Sequence, residues 1–114
     1  MSFLMLSSLR SMFDRDRLTV ERIRAMRPTF TRLSDGELRA AASKTEELPH
    51  WIALAATAAF RVLGQDMYDV QLRGALALAR GSIAEMQTGE GKTLAAVPAI
   101  SWFAREHRGV HVMT

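Results

Sequence analysis

The chain has 114 residues, 48% of them apolar and 24% charged, and its formal net charge is +3. This length and composition are typical of one small globular domain and exclude an intrinsically disordered chain. The lack of cysteine excludes disulfide frameworks and thiolate metal sites, the three histidines are too scattered for a metal site, and no apolar run is long enough to span a bilayer.

The N-terminal third is predicted to be helical and basic. Apolar residues recur at helical spacing over residues 3–13 and again over 19–26, with a charged link at 14–18 between them. Residues 1–34 contain seven arginines against three acidic residues, so the net charge of this segment is +4. Such a segment suits acidic lipid or nucleic acid, with its first stretch lying on a membrane surface as an amphipathic helix. The alternative is a helix with a solvated basic face that docks on a partner or on its own domain.

Prolines and a capping box predict the next boundaries. Pro28 is expected to end the second helical stretch, because proline disfavours helical backbone at the residue before it. Ser34 and Glu37 stand at the two ends of a capping box, in which each side chain accepts a hydrogen bond from the other residue's N–H. The helix that this box opens is predicted to run to about Glu47, and Pro49 marks the next break.

Two more helices are predicted before the glycine-rich part of the chain. Residues 51–63 are rich in alanine and almost uncharged, which predicts a buried helix that Gly64 stops. Asp69 is expected to cap a helix over residues 70–80, which Gly81 ends. The bulky anchors of the alanine-rich helix are predicted to be Trp51, Leu54, Phe60 and Leu63.

The C-terminal part follows the order of a phosphate-binding unit. An apolar-rich run at 82–86 predicts a strand, and residues 87–93 read Gln-Thr-Gly-Glu-Gly-Lys-Thr. Residues 94–105 predict a helix and residues 110–113 a second strand, which is expected to be parallel to the first. The predicted fold class is therefore α/β, with a helical N-terminal segment followed by an incomplete β-α-β unit of the P-loop type.

The glycine-rich stretch suits an anion. Gly89 and Gly91 let the backbone curl so that several N–H groups face one phosphate, and the following helix adds its positive end. Lys92 is expected to reach the terminal phosphates, and Thr93 to offer its hydroxyl to a magnesium ion. The usual motif begins with glycine where this chain has Met86, so the match is strong but imperfect.

Gln71 is a candidate reader of the nucleotide base. One side-chain amide both donates and accepts hydrogen bonds, as adenine recognition requires, and Tyr68 is placed to pack against the base. Taken alone, Gln71 is an ordinary helix residue. Its place ahead of a phosphate-binding loop makes base recognition a credible role.

Four segments of the chain have characteristic sequences. They are residues 33–39 (Leu-Ser-Asp-Gly-Glu-Leu-Arg), 67–72 (Met-Tyr-Asp-Val-Gln-Leu), 83–94 (Ile-Ala-Glu-Met-Gln-Thr-Gly-Glu-Gly-Lys-Thr-Leu) and 109–114 (Gly-Val-His-Val-Met-Thr). Together they resemble the SecA family, the bacterial preprotein translocase ATPases. The wording of the loop in that family also accounts for Met86 at the usual glycine position.

The resemblance implies a RecA-like motor domain that binds ATP with Mg²⁺. Gln71 matches the adenine-reading glutamine of the family, and Tyr68 matches the aromatic position beside it. Lys92 would then contact the β- and γ-phosphates, and Thr93 the magnesium ion. The nucleotide-binding residues that the match implies are Tyr68, Gln71, Thr88, Gly89, Glu90, Gly91, Lys92 and Thr93.

The resemblance also implies the activity and partners of the whole protein. A member of this family uses ATP to drive preproteins through a SecY-type membrane channel. Its partners would be that channel, the preproteins and an acidic phospholipid surface. The resemblance is also compatible with a homodimer of the full-length protein, and it implies no nucleic-acid partner. The expected location is the cytoplasm, peripheral on the cytoplasmic face of the bacterial inner membrane.

On this interpretation the chain divides into an amphipathic N-terminal helix (1–18), a helical lead-in (19–66) and the start of the P-loop domain (67–114). No strand that ends in a pair of acidic residues follows to order magnesium and water, and no second motor domain follows. We therefore expect an N-terminal fragment, or a truncated or divergent member, that is inactive as an ATPase by itself. Two departures are Gln87, where arginine is usual, and a short segment at 44–51.

Two alternatives remain open from the sequence. A nucleic-acid helicase fragment would share the base-reading glutamine, the Gly-Lys-Thr loop and the basic N-terminus, and RNA- or DNA-stimulated ATPase activity would favour it. A non-catalytic, membrane-associating module with a vestigial P-loop is the other alternative. Vesicle binding by residues 1–34 without nucleotide binding would favour that module.

Overall fold

The computed structural model describes residues 3–82, 84, 91–105 and 109–112, with residues 3–14 described by their backbone alone. Five α-helices account for most of this part of the chain. None of them combines the length and the apolar character needed to cross a membrane. The helices are α1 (Phe3–Thr31), α2 (Asp35–Lys44), α3 (Leu48–Leu63), α4 (Asp69–Ala79) and α5 (Lys92–Ala104).

The first helix is continuous where the sequence predicted two helices and a charged link. The prediction of a link at 14–18 is wrong, because these residues are helical. Asp16 within this stretch accepts a hydrogen bond from Arg80, with 2.6 Å between the carboxylate oxygen and the guanidinium nitrogen. Arg80 follows directly on α4, so the charged stretch docks on the rest of the fold.

Pro28 lies inside α1, so the prediction that it ends the helix is also wrong. A proline removes one helical hydrogen bond, here the one to the carbonyl of Arg24, and the helix ends only three residues later. Arg61 of α3 stabilises this end of α1. Its guanidinium donates to the backbone carbonyls of Phe30 at 3.4 Å and Thr31 at 3.2 Å, which have no partner within the helix.

The capping box that begins α2 is confirmed. The Ser34 hydroxyl accepts from the N–H of Glu37, and the Glu37 carboxylate accepts from the N–H of Ser34, both at 3.1 Å. The backbone N–H of Ser34, and after it the Ser34 hydroxyl, stabilise the ionised carboxylate and hold the pKa of the Glu37 carboxyl below its usual value. The folded state is therefore stabilised at pH values above the ordinary pKa of glutamate, and this stabilisation is lost as the pH falls through the lowered pKa. The helix ends at Lys44, before the predicted Glu47, and Pro49 lies in the first turn of α3, where no donor is needed.

The core is built around α3, which is confirmed as an alanine-rich helix that ends at Gly64 with φ 68°. Leu54 is buried as predicted, whereas Phe60 is 42% exposed and Leu63 is 56% exposed, so these two are not core anchors. The face turned inward carries small residues that let α1 and α4 approach closely. The central buried residues are Val20, Ile23, Ile52, Ala53, Ala56, Met67, Leu72, Ala75 and Leu76.

The predicted β-α-β unit is not seen in the described part of the chain. The helix α5 of that unit is present, but residues 110–112 have no regular secondary structure, and most of the run 82–86 lies outside the described residues. A strand exists only through hydrogen bonds to a neighbouring strand, and the described residues supply none. The α/β class is corrected accordingly: what the structure describes is helical.

Candidate functional site

The start of α5 forms one side of the candidate site. Gly91 caps this helix with φ 77°, a conformation that favours glycine, and its carbonyl accepts the first helical hydrogen bond from Ala95 at 3.2 Å. Lys92 and Thr93 are the first two residues of α5, and both are exposed. Their N–H groups have no partner within the helix and lie at its positive end, which is a suitable place for an anion. The remaining predicted loop residues, 88–90, lie outside the described residues.

Gln71 forms the other side of the site. Its side chain is buried, with 4% of the residue exposed. The amide oxygen accepts from the N–H of Tyr68 at 2.8 Å, and the amide nitrogen donates to the carbonyl of Gly91 at 3.4 Å. The structure thus brings together two predicted site residues that are twenty positions apart. An amide has two donor hydrogens and two acceptor lone pairs, so one of each remains for a ligand.

The residues around Gln71 differ in detail from the prediction. Tyr68, not Asp69, occupies the position that precedes α4, and Asp69 is the first residue of the helix. The side chain of Tyr68 is on the surface, with 70% of the residue exposed. The N-termini of α4 and α5 therefore meet at the Gln71–Gly91 contact, with Tyr68 and Lys92 beside it.

The close approach of the Gln71 side chain to Gly91 leads to a direct prediction. A Cβ at this position would collide with the side-chain nitrogen of Gln71, and it would also strain a backbone with positive φ. Gly91→Ala is therefore expected to lower the free energy of unfolding by about 1–2 kcal/mol for the backbone, plus the cost of displacing Gln71. The control is Gly64→Ala, because Gly64 has a similar φ of 68° and open space around it. Equal losses of stability in urea unfolding would contradict the contact.

Acidic partners from later parts of the chain neutralise part of the basic N-terminal segment, which the sequence pattern did not reveal. Of its six arginines whose side chains the structure describes, three form ion pairs with acidic residues that lie 25 to 45 positions further along the chain. Nothing in the local sequence marks these partners, because the pairing depends on how α1 packs. The pairs are Arg22–Glu47, Arg24–Asp69 and Arg27–Asp66.

The far end of α5 is fixed to α3 by an aromatic cluster. The indole rings of Trp51 and Trp102 meet edge to face with their centroids 6.1 Å apart. The guanidinium of Arg105 lies 4.6 Å from the centroid of Trp102 and 5.3 Å from that of Trp51, within the range of cation–π attraction. The indole N–H of Trp51 donates to the hydroxyl of Ser101 at 2.9 Å. These contacts set the direction of the helix whose start carries Lys92.

A separate apolar groove of about 480 Å³ lies between α2, α3 and α5. Its lining includes Leu38, Leu54, Val62 and Val97, and it includes none of the predicted nucleotide-binding residues that the structure describes. A groove of this character does not suit a charged nucleotide. The candidate site is therefore the meeting point of the two helix N-termini.

Comparison with known proteins gives a consistent result. Residues 3–114 match the family model of the SecA DEAD-like domain. The protein translocase subunit SecA of Bdellovibrio bacteriovorus is 44% identical over 107 residues, which covers 84% of this chain and 12% of that protein. The same subunit of Chloroflexus aggregans is 45% identical over 109 residues, covering 83% of this chain and 11% of the relative. The chain thus spans 11–12% of the length of these two relatives.

Proposed function

This chain belongs to the SecA family through its DEAD-like domain, and from that premise we propose that it is part of an ATP-dependent protein translocase motor. Within that motor, the chain would carry the elements that recognise adenine and hold the phosphates. The observation that carries this proposal is the contact between Gln71 and Gly91, which joins the predicted base reader to the end of the predicted phosphate loop.

Adenine recognition is proposed for Gln71 and Tyr68. Adenine presents a donor at its amino group and an acceptor at N7, and the remaining acceptor and donor of the Gln71 amide complement that pair. The amide is held by Tyr68 and Gly91, so it would meet the base already oriented. The exposed ring of Tyr68 offers an apolar surface on which the base can pack.

Phosphate binding is proposed for Thr88, Gly89, Glu90, Gly91, Lys92 and Thr93. The exposed N–H groups and ammonium at the start of α5 would neutralise the phosphate charge. Mg²⁺ is commonly held by substrate phosphates together with a few protein oxygens, and the exposed hydroxyl of Thr93 is one such oxygen. The ion, when bound with ATP, would neutralise charge on the phosphate oxygens.

The wider role follows from the family. The motor would drive preproteins through a SecY-type channel at the cytoplasmic face of the inner membrane, as a homodimer or a monomer. Arg15, Arg17 and Arg32 of the N-terminal segment are exposed, which is compatible with an acidic phospholipid surface. A nucleic-acid partner is the alternative to this lipid surface, and the test below distinguishes the two.

The test is ATP hydrolysis by the protein at its natural length. We expect the rate to rise when preprotein and acidic vesicles that contain the channel are added together. Unchanged hydrolysis with RNA or DNA is the matching control. Stimulation by nucleic acid alone would instead support a helicase, and vesicle binding without any nucleotide binding would support a non-catalytic module.

A further inference from the structure

The turn that carries the proposed base reader is held from outside by the N-terminal helix. Arg24 and Arg27 lie one turn apart on α1, and both contact residues 66–69, which lead into α4. We propose that these arginines are positioning residues, which hold Tyr68 and Gln71 in the geometry that binds adenine. The inference rests on the proposed function and extends it, because contacts from α1 would then determine the geometry of the same site.

Arg24 fixes the turn on both sides of Tyr68. Its Nε forms an ion pair with Asp69, the first residue of α4, and its Nη2 donates to the carbonyl of Met67 at 3.3 Å. The N–H of Tyr68 lies between these two points and donates to Gln71. Met67 is itself buried, with 1% of the residue exposed, so the turn is anchored to the core as well. The hydrogen bond that orients Gln71 therefore depends on a backbone that Arg24 holds.

Arg27 ties the start of the same turn to α3. Its side chain is only 13% exposed, and its Nη1 donates to the carboxylate of Asp66 at 2.6 Å. Its Nε donates to the hydroxyl of Thr57, a buried residue of α3, at 3.0 Å. The carboxylate of Asp66 also accepts from the N–H of Met67 at 3.0 Å. One arginine thus joins α1, α3 and the turn, in surroundings where a charge without a partner is costly.

Gln71 passes this constraint on to the start of α5. Its amide is held by Tyr68 on one side and donates to Gly91, next to Lys92, on the other. Contacts therefore run without interruption from α1 to the phosphate side of the site. At the opposite end of α4, Asp16 of α1 holds Arg80, so the two helices are joined at both ends. A displacement of α1 by any partner would disturb base recognition before it disturbed phosphate binding.

The test compares ATP with inorganic tripolyphosphate, which has phosphates and no base. Arg24→Gln and Arg27→Gln are expected to weaken ATP binding about tenfold and to leave tripolyphosphate binding within about twofold. The matched control is Arg22→Gln, because Arg22 also forms an ion pair of 2.8 Å on α1, but with Glu47. Arg24→Lys keeps the charge and is expected to recover part of the ATP affinity.

Two results would overturn the inference. One is unchanged ATP affinity in both variants, and the other is an equal loss of ATP and tripolyphosphate binding, which would indicate a general structural role. If the unaltered protein binds neither ligand, or binds both with equal affinity, the proposed function itself fails.

Amide hydrogen exchange distinguishes a failure of this inference from a failure of the proposed function, because the measurement needs no ligand. The N–H of Tyr68 is expected to exchange faster in Arg24→Gln than in the unaltered protein and in Arg22→Gln. Unchanged exchange at Tyr68 would show that Arg24 does not hold the turn, whatever the nucleotide affinity.

Discussion

Replacement of Lys92 by alanine is expected to weaken ATP binding about tenfold to a hundredfold. Lys92 is the exposed first residue of α5 and follows directly on Gly91, where the helix N-terminus already favours an anion. A hydrogen bond between charged groups contributes about 1.5–3 kcal/mol, which corresponds to this loss of affinity. The free energy of unfolding should change by less than about 0.5 kcal/mol, because no buried contact is lost. Equilibrium titration with ATP measures the effect.

The matched control is Lys44→Ala. Lys44 is the other lysine of the chain and is exposed at the last residue of α2, so the variant loses the same charge at a different place. It is expected to bind ATP as the unaltered protein does. If Lys92→Ala also binds ATP normally, the phosphate-loop assignment is wrong. If both variants lose affinity equally, the attraction depends on net charge and not on a site.

The largest loss of stability is expected from Ile52→Ala. Ile52 is completely buried in α3 and belongs to the central core cluster. Removal of a large aliphatic side chain from such a place costs about 2–5 kcal/mol, through lost burial and the cavity that remains. A small domain has a total free energy of unfolding of only about 5–15 kcal/mol, so a fraction of the molecules would already be unfolded under mild conditions. Urea unfolding should show a lower midpoint with an unchanged slope.

Val62→Ala is the corresponding control on the same helix. Val62 is β-branched like Ile52 but is 82% exposed, so its removal should change the free energy of unfolding by less than about 0.5 kcal/mol. Similar losses in the two variants would mean that the inward face of α3 has been assigned incorrectly.

Features that depend on neighbouring residues were predictable from the sequence. The capping box of Ser34 and Glu37 and the stop at Gly64 each require only a few adjacent positions, and the structure confirms both. The start of α5 near Lys92 is local in the same way. The position of Gln71 near the loop was also expected, first from its place ahead of that loop in the sequence and then because its sequence context resembles a known family.

Features that depend on distant partners were not predictable. The continuation of α1 past Pro28 is stabilised by Arg61, which lies some thirty residues further along the chain. The exposure of Phe60 and Leu63 depends on which face of α3 the other helices cover, and helical periodicity alone does not decide this. The strand predicted at 110–113 is not seen over residues 110–112, for the related reason that a strand requires a paired neighbour, and most of the other predicted strand lies outside the described residues.

The central claim is that Gln71 and the start of α5 form one nucleotide site, and backbone amide NMR tests it most directly. ATP is expected to shift the amide signals of Lys92, Thr93 and Gln71, whereas tripolyphosphate should shift only those of Lys92 and Thr93. The contrast would show that the base reaches Gln71 and the phosphates reach α5. If saturating ATP leaves all three signals unchanged, or shifts only residues elsewhere, the nucleotide site is not where we place it.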